Sequence, residues 1–220
     1  IKPTMNFYGI EQKIKIHKDN PDTKISIKKR EWNQYDKEYW GQYCLDLEFL
    51  TKRHVIPLQN FWVNDKLVYW YNAYNPSYCY DFKKDKKRKI YSPYSKEYKF
   101  CTNVNNDVWQ GEEFLPWVDE ILIITKSYKD VLVLEKLGYN SVAPQSESIC
   151  FDDIKMSTYK KRFKIIYLLY DNDETGKKYS KINCDKHDLI PIFIPEESNC
   201  KDTSDYIKSN GKSKTINLIN

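Results

Sequence analysis

Two aspartates one residue apart stand where an apolar run turns polar, in KIIYLLYDNDETGKK (164–178). In an extended backbone residues i and i+2 point the same way, so the carboxylates of Asp171 and Asp173 can face one point. Two carboxylates ~4 Å apart repel by ~1 kcal/mol in water and by several times that at lower effective dielectric. A divalent cation removes that cost, and Mg²⁺ takes one or two carboxylates together with waters and phosphate oxygens. The pair therefore points to metal-assisted phosphoryl or nucleotidyl chemistry. The structural alternative is that Asp171 ends a strand while Asp173 caps the next helix.

The elements that must position this pair follow a regular rhythm from Glu120 onward. ILIIT (121–125), NSVAP (140–144), KIIYLLY (164–170) and LIPIFIP (189–195) read as strands. YKDVLVLEKLG (128–138) reads as a helix stopped by Gly138, and a polar helix-compatible stretch runs from about Ile149 to Arg162. DETGKKYSKIN (173–183) reads as a short helix, and DTSDYIKSNG (202–211) as a last helical turn stopped by glycine. Strands apolar throughout, alternating with helices, predict a layered α/β sheet of parallel strands. In such sheets the functional crevice lies beyond the carboxyl ends of the strands. Those ends carry Lys126, Lys129 and Asp130, then Glu147, then Asp171 and Asp173, then Lys201, Asp202 and Asp205. Acids and bases from four strands meet at one edge.

The first half lacks that rhythm. VIPLQNFWVNDKLVYWYNA (55–73) predicts a β-hairpin turning at Asn64-Asp65, with Trp62 and Trp70 in its core. YCYDFKKDKKRKIYSPY (78–94) predicts a second hairpin with a basic tip, and 35–52 predicts a helix. Lysines and arginine among Tyr78, Tyr80, Phe82, Tyr91 and Tyr94 suit single-stranded nucleic acid, whose bases stack on aromatic rings; the same pattern suits tyrosines facing inward under a solvated tip. We expect an α+β basic subdomain over 1–115 and an α/β domain over 116–220, divided at Pro116.

The totals exclude several classes. Of 220 residues, 40% are hydrophobic and 30% charged, a globular balance and not a disordered one. No apolar run approaches the ~20 residues of a membrane span. Six scattered cysteines without a C-x-x-C pair argue against structural zinc and for free thiols in a reducing compartment, hence the cytoplasm. His17, His54 and His187 have no ligand spacing, so surface or packing roles are expected. The net charge of +5 permits a polyanionic partner without requiring one. The chain begins at Ile1, which suggests a fragment with neighbouring domains.

ILIITKSYKDVLVLEKLGYNSVAPQSE, YLLYDNDETGKK and KDTSD, in that order, resemble the TOPRIM domain of bacterial replicative primases and their phage relatives. YNPSYCYDF, RKIYSPYSKEYKFCTN and WQG, within 74–111, resemble the basic segment that precedes it. The resemblance implies a TOPRIM-type layered parallel sheet preceded by the basic α+β subdomain. It also implies synthesis of short RNA primers on a single-stranded DNA template from ribonucleoside triphosphates, with Mg²⁺ or Mn²⁺ and a replicative helicase as partner. Asp171 and Asp173 match the metal-binding D-x-D, and Gly176 the glycine that lets the following helix start close to it. Asp130 matches an aspartate on the first helix, and Asp202 and Asp205 a late acidic motif near the metals. Lys89, Lys99 and Asn103 fall on the basic segment. With Lys129, Lys177 and Lys201 at the strand ends they are the candidates for nucleotide or template phosphates.

One departure from the family matters. TOPRIM domains end the first strand with a catalytic glutamate and a glycine; here Lys126 and Ser127 stand there. Lysine neither ligates Mg²⁺ nor accepts a proton at neutral pH as glutamate does. Glu147 could supply the missing carboxylate, Lys126 could neutralise a triphosphate, or the site could be degenerate and only bind. Two other activities compete. DNDET also fits the D-x-D-x-T of haloacid-dehalogenase-type phosphatases, but those place it on the first strand of the core. A TOPRIM nuclease would use the same metals, and a non-catalytic nucleic-acid-binding module would keep the fold alone.

Overall fold

A computed structural model describes residues 22–83 and 86–220. His17 lies outside the described residues, as do two residues at the tip of the second hairpin.

The first half is built on a six-stranded antiparallel sheet. Its strands are β1 (Ile25–Lys29), β2 (Val55–Val63), β3 (Lys66–Trp70), β4 (Tyr78–Phe82), β5 (Lys87–Tyr91) and β6 (Phe100–Thr102), ordered β1-β2-β4-β5-β6 with β3 on β2. Asn64 and Asp65 both take positive φ, 49° and 62°, the two-residue turn whose twist suits a hairpin. Within that hairpin Phe61 faces Tyr69, and both are buried. The period of two sends their neighbours to the other face, so Trp70 is 67% exposed and Trp62 only half-buried. The expectation of a paired-tryptophan core is corrected: the inward register belongs to Phe61 and Tyr69. The expected helix over 35–52 is two short ones, α1 (Gln34–Gly41) and α2 (Leu47–Lys52), divided where Cys44 takes φ 61°. Tyr78, Tyr80, Phe82 and Tyr91 are buried, which decides for the inward-facing alternative at those four; Tyr94 is exposed.

The second half is the parallel sheet. β7 (Asp119–Thr125), β8 (Ser141–Val142), β9 (Phe163–Leu169) and β10 (Ile190–Pro191) lie in the order β10-β9-β7-β8. β8 is much shorter than NSVAP, and β10 shortens to two residues because prolines at 191 and 195 cannot donate to a ladder. The helices are α3 (Tyr128–Lys136), α4 (Asp153–Arg162), α5 (Glu174–His187) and α6 (Thr203–Ile219). Leu122, Ile124, Ile166 and Leu168 face Met156, Tyr159 and Phe151 on one side of the sheet. Ile123 and Leu169 face Leu134, Tyr206 and Ile219 on the other. Alternate positions of β7 and β9 thus fill two cores, as a sheet between two helical layers requires. α6 runs past Gly211, where the chain breaks helical geometry at φ 77° and continues to Ile219.

The two sheets share a third core. Tyr80 and Tyr91 pack with Tyr128, Val131 and Leu132 of α3, and the Tyr128 hydroxyl donates to the Arg53 carbonyl at 2.7 Å. Arg53 also pairs with Glu135 at 2.5 Å. The basic half is thereby anchored to the first helix of the parallel sheet, beside its carboxyl edge. His54 lies beside Glu113, and buried His187 contacts the Phe151 carbonyl, packing roles in both cases. The six cysteines carry no disulfide.

Candidate active site

β8 lies on one side of β7 and β9 on the other, so the direction of winding reverses between β7 and β9. A crevice opens at such a point, beyond the carboxyl ends of the strands. Thr125 is the register partner of Leu169, which places Lys126 opposite the start of the D-x-D. Lys126 Nζ donates to Asp171 Oδ2 and lies 3.9 Å from Glu147 Oε2, which arrives on the loop after β8. Lys201, before α6, reaches Asp173 Oδ2 at 2.9 Å and Asp171 Oδ2 at 3.5 Å. Its loop is held by a backbone bond from the Asn172 amide to the Lys201 carbonyl.

Asp173 serves two ends. Its side chain accepts from the Gly176 amide and caps α5, and its other oxygen faces the cluster. Asp173 is thus the N-cap that the structural alternative expected, and its Oδ2 still points at the cluster. Gly176 has no room for more: a Cβ there would lie 2.2 Å from the Asp171 carbonyl oxygen. The helix can start this close only with glycine at that turn.

Glu147, Asp171 and Asp173 bring ligand oxygens within 4.8 Å of one another. Among the described residues no other His, Cys, Asp or Glu group of three does so. Asp171 is 3% exposed, and its Oδ1 is buried with no hydrogen-bond partner; Glu147 Oε2 is buried without one as well. Buried carboxylate oxygens are ordinarily satisfied. Unsatisfied oxygens converging from two loops are what a hard divalent cation uses, so the residues present fit such an ion. Burial raises the Asp171 carboxyl to about 6, against the opposing hydrogen bond and charge of Lys126. Burial also raises Glu147, with Lys126 opposing. Asp173 is lowered by the Gly176 amide and Lys201, and that same hydrogen bond to Asp173 raises Lys201 to about 12.

The other sequence candidates divide by position. Asp202 caps α6 by accepting from the Asp205 amide, outside the three-carboxylate group but on the wall of the crevice. Asp205 lines an adjoining cleft of about 280 Å³ with Lys201 and Lys208. Asp130 is buried, taking hydrogen bonds from Ser127 and from the Ser204 amide and hydroxyl; it ties α3 to α6. Burial and the nearby Asp202 raise its carboxyl above the ordinary range. Lys89, Lys99 and Lys129 line a cavity of about 480 Å³ between the two sheets, with Lys126 and Glu147 on its far wall. Burial works against the Lys129 ammonium, yet Tyr91, Asp130 and Asp202 hold it above its ordinary value. Asn103 is occupied by backbone, donating to the Thr23 carbonyl and accepting from the Arg88 amide. Lys177 pairs at 2.6 Å with Glu196 on the exposed side of α5.

Phe100 was missed. It is 38% exposed at the cavity, stacked on Tyr91 with Lys89 5.2 Å from its ring. Gln145, whose carbonyl and side chain face Lys89 at 3.4 and 3.3 Å, was not singled out either. KEYKF (96–100) holds the signal, an aromatic ring between lysines, but nothing local tells which ring stays at the surface.

The chain has the fold of a DNA primase catalytic core: a TOPRIM-type parallel sheet preceded by an antiparallel one, with an acidic cluster at their junction. The primase fragment of the bacteriophage T7 primase-helicase protein superposes with a TM-score of 0.58 at 15% identity, over 87% of this chain and 81% of that one. The Aquifex aeolicus primase, with its zinc-binding and RNA polymerase domains, gives 0.60 at 18% identity over 85% and 55%. The DnaG primase catalytic domain bound to single-stranded DNA gives 0.61 at 11% identity over 84% and 73%. No protein-family profile and no curated protein sequence matches the chain.

Proposed function

We propose that the chain is the polymerase core of a DNA primase, joining ribonucleotides into short primers on single-stranded DNA by metal-dependent nucleotidyl transfer. The observation that carries this is the convergence of Glu147, Asp171 and Asp173, with buried oxygens of Asp171 and Glu147 that make no hydrogen bond, and with Glu147 itself lining a lysine-lined cavity. Mg²⁺ or Mn²⁺ bound there would lower the pKa of a primer 3′-hydroxyl and neutralise charge on the triphosphate. Asp171, Asp173 and Glu147 would hold the ion. Asp202 and Asp205 extend the negative edge toward the adjoining cleft. Lys89, Lys99 and Lys129 attract the triphosphate and template phosphates, and Phe100 offers an exposed ring to a base. Positioning and charge stabilisation supply most of such a reaction.

The division at Pro116 follows the change from antiparallel to parallel sheet and is our working boundary. One neighbour is a fragment of a primase-helicase protein and another holds single-stranded DNA, which supports a helicase partner and a single-stranded template for this chain, acting in the cytoplasm. The test is primer synthesis on mixed single-stranded templates with labelled ribonucleotides and Mg²⁺ or Mn²⁺. Short products that vanish in Asp171→Asn and Asp173→Asn are expected. No products, with DNA binding intact and insensitive to both substitutions, would overturn the polymerase reading in favour of a binding module. Degradation of the template would indicate the nuclease.

A further inference from the structure

Lys126 stands where the resemblance leads one to expect a carboxylate, and its place in the cluster gives it a role. Its ammonium lies on Asp171 Oδ2 and 3.9 Å from Glu147 Oε2. Lys201 adds a second ammonium between Asp171 and Asp173. The three carboxylates are thus already met by two fixed positive charges, leaving one net negative charge. The lysines converge on Asp171 Oδ2, with Lys126 also facing Glu147 Oε2, and leave Asp171 Oδ1 open. Asp171 Oδ2 takes both ammonium groups, whereas Asp171 Oδ1 and Glu147 Oε2 are buried with no hydrogen bond. The two lysines differ in exposure: Lys201 is 54% exposed at its side chain, whereas Lys126 is 26% exposed and comes from the end of the central strand β7.

We infer that Lys126 is a built-in cation that limits this site to a single divalent ion, held by the open Oδ1 of Asp171 together with Glu147 and Asp173. The inference deepens the proposed function and rests on its metal reading. Charge decides the count. One divalent ion turns a net charge of minus one into plus one, which suits an incoming triphosphate. A second, within a few ångströms of the first and of the Lys126 ammonium, meets repulsion. Lys126 also lines the 480 Å³ cavity with Lys89, Lys99 and Lys129. Its charge therefore faces the space in which the triphosphate would lie, the place where a second ion would otherwise supply it.

The experiment counts Mn²⁺ on the 220-residue chain without nucleotide, by the loss of the free-ion electron paramagnetic resonance signal and by calorimetry. The wild type is expected to bind one ion and Lys126→Glu two. Lys126→Gln, which keeps the shape and removes the charge, is expected to bind its ion at least about tenfold more tightly. Circular dichroism verifies that each variant is folded; Lys126→Gln carries the test if the acidic variant is not. Two ions or none in the wild type, one ion in folded Lys126→Glu, or unchanged affinity in Lys126→Gln would overturn the inference. The readout is separate from primer synthesis. A wild type that binds one ion and responds to Lys126 as stated, yet makes no primers, supports the single-ion site and removes the polymerase reading.

Discussion

Asp36 and Asp171 are both buried carboxylates, one in each half of the molecule, and they are treated in opposite ways. Asp36 is 0% exposed and fully met. Arg30 reaches it with both terminal nitrogens, at 2.5 and 2.8 Å, the Tyr78 hydroxyl donates at 2.8 Å, and the Asn33 amide donates at 3.0 Å. Asp171 has two ammonium groups crowded on one oxygen and nothing on the other. A carboxylate that fastens α1 to the antiparallel sheet needs every lone pair used. One that must accept an ion has to keep a lone pair open and bear the cost of burial. The pair contrasts a buried acid whose oxygens are all met with one that keeps an oxygen open.

That contrast can be broken most directly at Asp36. Asp36→Ala leaves the Arg30 charge buried without its partner and is expected to destabilise the protein by about 3–5 kcal/mol in urea unfolding. If the loss were under about 1 kcal/mol, the two acids would not differ in kind. Asp171→Asn should do the reverse, lowering primer synthesis by ~10²–10³-fold while leaving the fold intact. A large loss of stability in that variant would make Asp171 structural after all.

Titration sharpens the comparison. The Asp171 carboxyl stands at about 6 when folded, above its ordinary 3.8, so the protonated form is favoured by folding. The stability this adds is fully present below pH 3.8 and is lost as pH rises through about 6. Relative to Asp171→Asn, the metal-free wild type should lose up to ~3 kcal/mol across that window. Saturating Mn²⁺ above pH 6 should return part of it, because the ion binds only the folded state. A difference flat from pH 4 to 7 would contradict the raised carboxyl.

Smaller effects follow. Gly176→Ala places a methyl against the Asp171 backbone and should cost about 1–3 kcal/mol with a weakening of Mn²⁺ binding. An unchanged Mn²⁺ affinity would mean that the start of α5 does not set the position of the D-x-D. Lys177→Ala should leave the melting temperature unchanged, since its pair with Glu196 lies at the surface. A measurable drop would extend the site along α5.

The sequence by itself determined the parallel sheet and the edge at which its acids gather. An apolar run ending in two acids reads as a strand open at its end, and that much is local pattern, although Lys164 and Ile165 at its start are exposed. Asn64-Asp65 likewise declared its hairpin, because few residue pairs accept positive φ at both positions. Tertiary structure alone decided which rings face inward. The alternation around Trp62 and Trp70 permits either face, and only the sheet packing chose Phe61 and Tyr69. It also decided the partners of Lys126. Asp171 lies 45 residues away along the chain and Glu147 lies 21 away, and their meeting depends on β9 and β8 flanking β7 on opposite sides. Strand order is set by how whole layers bury their apolar faces, and no local spacing encodes it.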